Sequence, residues 1–486
     1  MPKVYGGLGS VGFGKKELEV YVVVQVLDVM EKTLDGPPMS ENDYQLRRYA
    51  PKVQEKVREY KIKFDPDNPI PADNSLADDL FEAGLELLVD VGAFCLDSSR
   101  VISYTESEVR EGLRNAPSKV FFGEGRDRKA MVPRKVEDNA PPWCLLGAAG
   151  GPVSSDESFL TLMEGFAEIP QTNSITTPAI TRVSGMRVRP ASPLELYATM
   201  RNAVLGREAC NRVGREGKPF MNTLSTAESD VSLAAAVHPR FGLRPSDGFM
   251  IASMDPMKVD FARLNKAVIA HSIGAPIGMD FSPLVGGYSG GPEGTAVGTV
   301  ATHLMGMLTL QTSYLIPFPL HLRYVSNSSR ELLWTISTMG QAISRNTDLL
   351  SISLNYTAAG PCTPMCLYET SASVMAAVAS GLSMESVGVA TNKYEDRVTP
   401  VEPRISAEVG HAIAGMKRSE ANEIAKKLLK KYETRLASPP LGKSLQECWN
   451  ASTRRPTKEY SALIKRFKKN AASIGLKLEP SELDMP

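Results

Sequence analysis

The segment APIGMDFSPLVGGYSGGPEGTAVGTVATHLMGMLTLQTSY, residues 275–314, has three parts in a fixed order. An apolar run of strand length comes first, a glycine-rich turn follows it, and a helix-length stretch from Thr295 to Tyr314 completes the segment. A strand that leads through a turn into a helix is part of a right-handed βαβ unit with a parallel sheet. The segment therefore predicts an α/β fold.

Strand-length apolar segments of this kind recur along the chain, and each is followed by a turn and a helix-length stretch. They are WCLLGA from Trp143, SITTPAI from Ser174, PFMNTL from Pro219, FMIASM from Phe249, APIGMD from Ala275, FPLHLR from Phe318, LSISLN from Leu350 and SVGVA from Ser386. Eight units in about 270 residues fit a (β/α)8 TIM barrel better than an open sheet. Functional residues are then expected at the C-terminal ends of the strands.

Outside these units the sequence is more polar and has the pattern of helices. We expect a flexible glycine-rich terminus at 1–19, a mainly helical N-terminal extension at 20–140, the TIM barrel at 141–416 and a C-terminal helical extension at 417–486. One helix is predicted from Pro193 to Val213, because Ser192 and Pro193 suit the N-cap and first helical positions.

Composition excludes several classes of function. The 486 residues contain 55 Lys+Arg and 55 Asp+Glu, so no net charge favours nucleic acid or an anionic membrane. The apolar run from Leu18 to Met30 is interrupted by charged residues and has no cleavage site after it, and no stretch approaches the roughly 18 apolar residues of a spanning helix. Six cysteines show no disulfide framework. We expect a cytoplasmic protein with reduced thiols.

Two short motifs carry little chemistry. Gly7, Gly9 and Gly12 satisfy GxGxxG, but no strand precedes them, so a flexible end is a better interpretation than a dinucleotide site. Cys362 and Cys366 have helical spacing and no second cysteine pair, which favours buried structural thiols. No metal site is predicted.

Other candidates lie near predicted strand ends. His321 and Arg323 alternate along the sixth segment and so share one face, which fits a buried structural pair and a substrate-binding pair equally well. The glycine-rich loop before the helix at Thr295 could offer backbone N–H groups to phosphate, although Glu293 would repel an anion there. Asn355 and Tyr356 end the seventh segment.

Longer stretches resemble a known family. They are LFEAGLELLVDVGAFCLDSSRVISYTESEV from Leu80, GEGRDR from Gly123, GGPVSSDESF from Gly150, GGYSGG from Gly286, VATHL from Val300, AGPCTPMC from Ala359, AEVGHAIAG from Ala407 and ASPPLGKSLQECW from Ala437. In this order they are similar to the monomethylamine:corrinoid methyltransferases of methanogenic archaea. The resemblance runs from about residue 20 to residue 460. It implies a TIM barrel in a homo-oligomer.

The resemblance also implies an activity and a set of positions. In the family a methyl group passes from a methylamine to the cobalt of a corrinoid on a separate small protein, and a pyrrolysine holds the amine through its imine. That pyrrolysine falls on Met221, and the carboxylates of the family fall near Met250 and at Phe281 or Ser282. A glutamine of the family falls on Leu354, whereas its neighbouring tyrosine is retained as Tyr356. The chain thus resembles a pyrrolysine-free homologue.

These departures suggest a rebuilt pocket for an activated substrate. An unactivated amine leaves badly, whereas a quaternary ammonium departs as a neutral tertiary amine. Met221, Phe281 and Tyr356 would give an apolar, partly aromatic pocket, Asp280 or Glu293 would attract a cation, and Arg323 would receive a carboxylate. We therefore expect catalytic positions at Tyr356, Met221 and Asp280 and substrate-binding positions at Phe281, Asn355, His321, Arg323 and Glu293.

The corrinoid is expected to arrive on a partner protein. No D-x-H-x-x-G motif occurs, because Ile269 and Ala301 stand where the aspartate should precede His271 and His303. The cofactor is therefore cobalamin carried by a cognate corrinoid protein, and nothing is bound tightly by this chain. Two alternatives remain open: a methyltransferase that uses a simple methylamine by another mechanism, and a catalytically silent paralogue that binds the corrinoid protein.

Overall fold

The N-terminal part of the chain is mainly helical. The structure, a computed structural model, describes residues 16–221, 229–237 and 242–481, so the glycines of GxGxxG and His238 lie outside the described residues. Lys16 to Glu19, expected in a flexible terminus, begin the first helix. The elements are α1 Lys16–Asp35, α2 Glu41–Asp43, a π-helical turn Tyr44–Tyr49, α3 Ala50–Glu59, α4 Asn74–Val91, β1 Ala93–Cys95, β2 Arg100–Ile102, α5 Glu106–Asn115, β3 Val120–Phe122 and β4 Lys129–Met131.

In the middle of the chain strands alternate with helices. The strands are β5 Cys144–Gly147, β6 Pro152–Val153, β7 Ser174–Thr176, β8 Ala179–Ile180, β9 Arg182–Val183, β10 Met186–Arg187, β11 Phe249–Ala252, β12 Lys258–Val259, β13 Ile277–Phe281, β14 Leu284–Val285, β15 Tyr314–Pro317, β16 Leu320–His321, β17 Ile352–Thr357 and β18 Ser383–Val389. The helices are α6 Asp156–Glu168, α7 Pro193–Arg212, α8 Asp230–Ala236, α9 Phe261–Ser272, α10 Pro292–Thr309, α11 Arg330–Asn346, α12 Pro364–Ala379 and α13 Val401–Ala412. The Ser192 hydroxyl caps α7, as predicted.

The C-terminal part is again mainly helical. Its elements are α14 Arg418–Leu429, α15 Leu445–Cys448, β19 Trp449–Asn450, β20 Arg455–Pro456 and α16 Lys458–Ser473. Among the described residues no helix combines the length and apolar character that crossing a membrane requires.

The longer strands of the middle part pair in parallel. One sheet has the order β17-β18-β5-β7, and another has the order β11-β13-β15. A parallel bridge between Leu315 and Ser351 connects β15 to β17. On the other side Phe220 bridges Ile175 in parallel, and its carbonyl accepts a hydrogen bond of 2.7 Å from the Gly248 N–H. Residues 222–224 of the predicted third strand lie outside the described residues, and in the described part of that strand Phe220 forms the bridge.

The predicted sixth strand was misplaced. It was expected from Phe318 to Arg323, but the strand is β15, which ends at Pro317. Helix α10 ends at Thr309, five residues before the predicted end at Tyr314, so the apolar run that follows is free to form β15. Within FPLHLR the two-residue strand β16, Leu320–His321, pairs with β14, outside the sheet of β11, β13 and β15.

Apolar side chains form two clusters on opposite faces of the strands. Ile277, Met279 and Phe281 of β13 belong to the larger, outer cluster, together with most apolar helix residues. The smaller one, which we name the inner cluster, consists of Phe122, Met131, Trp143, Leu145, Met221, Tyr314, Ile316, Leu350, Ile352 and Leu354. Because successive side chains of a strand point to opposite faces, membership of a cluster shows which face a residue takes.

The N-terminal part packs directly on the middle part. Helix α4 lies against α10 and α11, and β1 pairs in parallel with β12. The β3–β4 hairpin contributes Phe122 to the inner cluster, where its ring centroid lies 5.5 Å from that of Trp143 and 5.7 Å from that of Tyr314. The hairpin therefore completes the inner cluster.

We expect Phe122→Ala to destabilise the protein much more than Phe121→Ala. Phe122 is fully buried, so its truncation leaves a cavity and costs about 3–5 kcal/mol. The neighbouring Phe121 is 44% exposed and is the matched control. Urea unfolding of both variants measures the difference, and equal loss of stability would contradict the assignment of the hairpin to the inner cluster.

Candidate functional site

Met221 is fully buried in the inner cluster, next to the end of the Phe220 bridge. Its backbone N–H donates to the Ile175 carbonyl at 3.1 Å, and its carbonyl accepts from the Tyr314 hydroxyl at 2.9 Å. Met250 and Tyr356 pack against the same cluster and are partly exposed. Met221, Met250 and Tyr356 are thus brought together on the inner face.

Asp280 also faces the inner side. It alternates with Met279 and Phe281 of the outer cluster, and it pairs in register with Ile316 of the inner cluster. The residue is half-buried, but its Oδ1 atom is buried and has no hydrogen-bond partner among the described residues. Burial raises the pKa of the Asp280 carboxyl to about 6.

Glu385 is a second inner carboxylate, and sequence reasoning missed it. It pairs in register with Leu354 on one side and Leu145 on the other, both members of the inner cluster. Its side chain is buried, and the Oε2 atom has no hydrogen-bond partner in the described part of the chain. Burial raises its pKa well above the usual value, and the negative charge of Asp280 raises it further.

Tyr356 is held by contacts from two neighbouring segments. Its backbone N–H donates to the Asn327 side-chain oxygen at 2.8 Å, and its carbonyl accepts from the Asn327 N–H at 2.8 Å. Its ring lies against Gly388 of β18, where any side chain would collide with the ring. Burial raises the pKa of the Tyr356 hydroxyl, so it is protonated near neutral pH.

The comparisons with known proteins agree with this architecture. A family model described as monomethylamine methyltransferase MtmB matches residues 24–476. The chain belongs to the MtmB family. It is 33% identical over 453 residues to monomethylamine methyltransferase MtmB1 of Methanosarcina barkeri, covering 92% of this chain and 97% of that protein. It is 34% identical over 455 residues, with the same coverage, to MtmB3 of the Fusaro strain of Methanosarcina barkeri.

Solved structures of the MtmB family share the fold. The crystal structure of the Methanosarcina barkeri monomethylamine methyltransferase matches with a TM-score of 0.89 at 32% identity, covering 93% of this chain and 98% of that one. The crystal structure of the hydroxylamine MtmB complex matches with the same values. The chain is therefore a mixed α/β protein of the methyltransferase class.

Phe281 and Asn355 do not join the inner residues. Phe281 faces the helices and packs edge-on against His303, with ring centroids 4.9 Å apart. The Asn355 amide donates to the Glu385 carbonyl at 2.9 Å and to the Ser406 hydroxyl at 3.3 Å. Both were expected to bind substrate, and strand alternation instead turns them toward the outer layer.

Three other expected binding residues have separate positions. Glu293 lies in the first turn of α10, and its Oε1 accepts from the Phe64 backbone N–H at 3.1 Å, so it links α10 to the N-terminal part. His321 lies on β16, beside β14 rather than in the main sheet, and stacks on Tyr324 at 4.2 Å. Arg323 is exposed and lies in the turn after β16, where strand alternation does not apply.

The other motifs are structural. The glycine-rich loop is covered by the π-helical turn and α3, because Tyr49 and Gln54 hydrogen-bond to Ser289 at 2.9 and 3.0 Å. Cys362 and Cys366 are buried. Within 16–221, 229–237 and 242–481, no group of three or more His, Cys, Asp or Glu side chains could hold a metal ion.

We expect Asp280→Asn to stabilise the folded protein at pH 8. The raised pKa means that the Asp280 carboxyl binds its proton more tightly in the folded protein than in the unfolded chain. The free energy of unfolding therefore falls as the pH rises from about 4 to about 6. The shift of about two pKa units corresponds to roughly 3 kcal/mol as an upper limit. Unfolding free energies at pH 4.5 and 8 measure the gain, which should shrink in acid.

The matched control is Asp348→Asn. Asp348 is exposed and pairs with Lys135 on the surface at 2.9 Å, so its removal should change stability little at either pH. A pH-independent effect of Asp280→Asn would contradict the buried position of its carboxyl.

Proposed function

We propose that this chain transfers a methyl group from a methylated amine to the cobalt of a corrinoid carried by a separate protein. The observation that carries the proposal is the inner group of Met221, Asp280 and Tyr356 in a chain of the MtmB family. Asp280 and Tyr356 come near the C-terminal ends of their strands, where parallel α/β enzymes bind substrates.

We also propose that the parallel strands close into a (β/α)8 barrel. Backbone hydrogen bonds or bridges link the order β5, β7, Phe220, β11, β13, β15, β17, β18 and back to β5. The inner cluster would then fill the barrel, with the β3–β4 hairpin at the N-terminal end and the substrate site at the other end.

The residues of this chain do not fit a resident corrinoid, so the corrinoid enters the reaction as the acceptor substrate. His271 and His303 each precede a glycine by three residues, but both lie within helices. The ring nitrogens of His303 already contact the Thr299 carbonyl at 2.8 Å and the Ser351 hydroxyl at 3.1 Å. A reduced cobalt centre on the partner supplies the nucleophile.

The donor in this proposal is a quaternary amine. During transfer the C–N bond breaks and its electron pair stays on nitrogen, so a quaternary ammonium leaves as a neutral tertiary amine that needs no proton. Met221 offers no imine to hold a simple amine. Asp280 attracts the cationic nitrogen, Met221 and Met250 exclude water from it, and Tyr356 positions the donor.

Methyl transfer to a reduced corrinoid protein, followed by its change in absorbance, tests the function. We expect turnover with glycine betaine or another quaternary amine and little with monomethylamine. Efficient use of monomethylamine would contradict the leaving-group argument. No turnover with any methylated amine and an active corrinoid protein would favour the silent paralogue.

We expect Tyr356→Phe to lower kcat about tenfold, the effect of one lost hydrogen bond of about 1.4 kcal/mol in the transition state. Tyr394→Phe is the matched control, because Tyr394 is 48% exposed and lies away from the inner cluster. Equal rates for wild type and Tyr356→Phe would assign Tyr356 a structural role.

Met221→Lys should not create activity toward monomethylamine. A lysine amine is a nucleophile and lacks the electrophilic imine that would hold an amine substrate. Single-turnover assays with monomethylamine measure this, and Met221→Leu controls for the loss of the thioether. Appearance of activity in the lysine variant alone would show that a positioned amine is sufficient.

A further inference from the structure

Two carboxylates reach the inner face from different strands, Asp280 from β13 and Glu385 from β18. They are close enough for the charge of Asp280 to act on Glu385, and both act on the Tyr314 hydroxyl. Each has one oxygen that is buried without a hydrogen-bond partner in the described ranges, Oδ1 of Asp280 and Oε2 of Glu385. A buried carboxylate oxygen seldom lacks a hydrogen-bond partner unless it carries a proton or contacts a ligand.

Among the residues that the structure describes, Asp280 and Glu385 form no ion pair, and the positive charges of Arg263 and Lys266 offset only part of the effect of burial on Asp280. The cationic groups that act on Asp280 are Arg263 and Lys266, and both lie on helix α9. Arg263 donates to the Asp260 carboxylate at 2.5 Å, at the N-terminus of that helix. The charge of the carboxylate pair therefore has to be balanced by a proton or by a cation from outside the chain.

The walls around the pair suit a cation that has methyl groups in place of N–H donors. Leu354 and Met221 are apolar and buried, and Tyr314 and Tyr356 add aromatic rings to the same face. A hydrated metal ion would require more oxygen ligands than these walls offer, whereas a methylated ammonium is attracted through charge and through aromatic faces.

We propose that Asp280 and Glu385 together form a binding site for one methylated ammonium ion, in which Glu385 is a substrate-positioning residue. This inference rests on the proposed function. It specifies that the substrate is positively charged, and it names Glu385 as a second residue that recognises that charge. Negative charge on the two carboxyls would balance the positive charge of the ammonium ion. The site would therefore select cations over neutral molecules of the same shape.

Calorimetric titration without a corrinoid protein tests the site. The probes are choline and its neutral isostere 3,3-dimethylbutan-1-ol. We expect choline to bind at least tenfold more tightly than the alcohol to the wild type. In Glu385→Gln the affinity for choline should fall at least tenfold, while that for the alcohol stays within twofold. Equal binding of the two probes, no binding of choline, or an unchanged Glu385→Gln variant would overturn the proposal.

The matched control is Glu402→Gln. Glu402 is another buried carboxylate whose pKa burial raises, but its partners are Thr399 and Tyr460, on the outer side of the strands. It should bind choline like the wild type. An equal loss of affinity in both variants would show a general effect of removing a buried charge and would count against the site.

The pH dependence of the wild type tests the proposal even if a variant does not fold. The charged or titratable groups facing the pair are Arg263 and Lys266 from α9, Tyr314 from β15 and Tyr356 from β17. Both tyrosines are neutral in this range. Choline affinity should fall as the pH falls through about 6, because protonation of Asp280 removes a negative charge from the pair. A pH-independent affinity would contradict the pair.

Binding and turnover separate this inference from the proposed function. Tight choline binding without methyl transfer from any amine would contradict the function and leave the cation site standing. Methyl transfer with unchanged choline affinity and unchanged KM in Glu385→Gln would contradict the cation site alone.

Discussion

Each of the main parallel strands is covered on both faces, and this constraint decides which side chains can meet a substrate. The outer cluster packs the strands on the helices, so a residue on that face is already occupied with helix contacts. Only residues on the inner face, beyond the apolar inner cluster, can reach a ligand. Two adjacent residues of one strand therefore have different roles: one faces the site, and the other packs on the helices.

Asp280 and Phe281 illustrate the consequence. They are neighbours in β13, yet Asp280 faces the inner side and Phe281 packs on His303. The same division separates Asn355 from Tyr356 in β17. Sequence motifs locate the ends of these strands well. They do not tell which of two neighbouring side chains faces the inner side, because alternation fixes the faces only after the position of one residue of the strand is known. The sequence therefore placed both neighbours at the site.

Much of the architecture could be predicted from the sequence. Capping residues and apolar runs located α7, β5, β13 and β17, because these signals are local. FPLHLR was misassigned because the strand of the main sheet is the apolar run before it, β15, whose first residue, Tyr314, was counted as the end of the preceding helix. Glu293 was assigned to the site because it follows a strand. Its carboxylate instead accepts a hydrogen bond from the Phe64 backbone N–H, and Phe64 is 229 residues away in the sequence.

Glu385 was missed for a related reason. The eighth strand was expected to begin at Ser386, but β18 begins at Ser383 and contains Glu385 within its apolar run. A single acidic residue between Met384 and Ser386 in a strand is the signal that was available, because burying a charge in a strand is costly unless the charge is paired or binds a ligand.

The buried carboxylates connect the stability of the protein to its chemistry. Both Asp280 and Glu385 hold their protons more tightly than free carboxyls, so each charge on the inner face weakens the folded state. A cation that binds between them relieves this cost, and part of its binding energy comes from that relief. The arrangement gives such a site a reason to prefer a permanently charged amine. A neutral amine leaves the same charges uncompensated, whereas the quaternary amine that we propose as donor brings its positive charge at every pH.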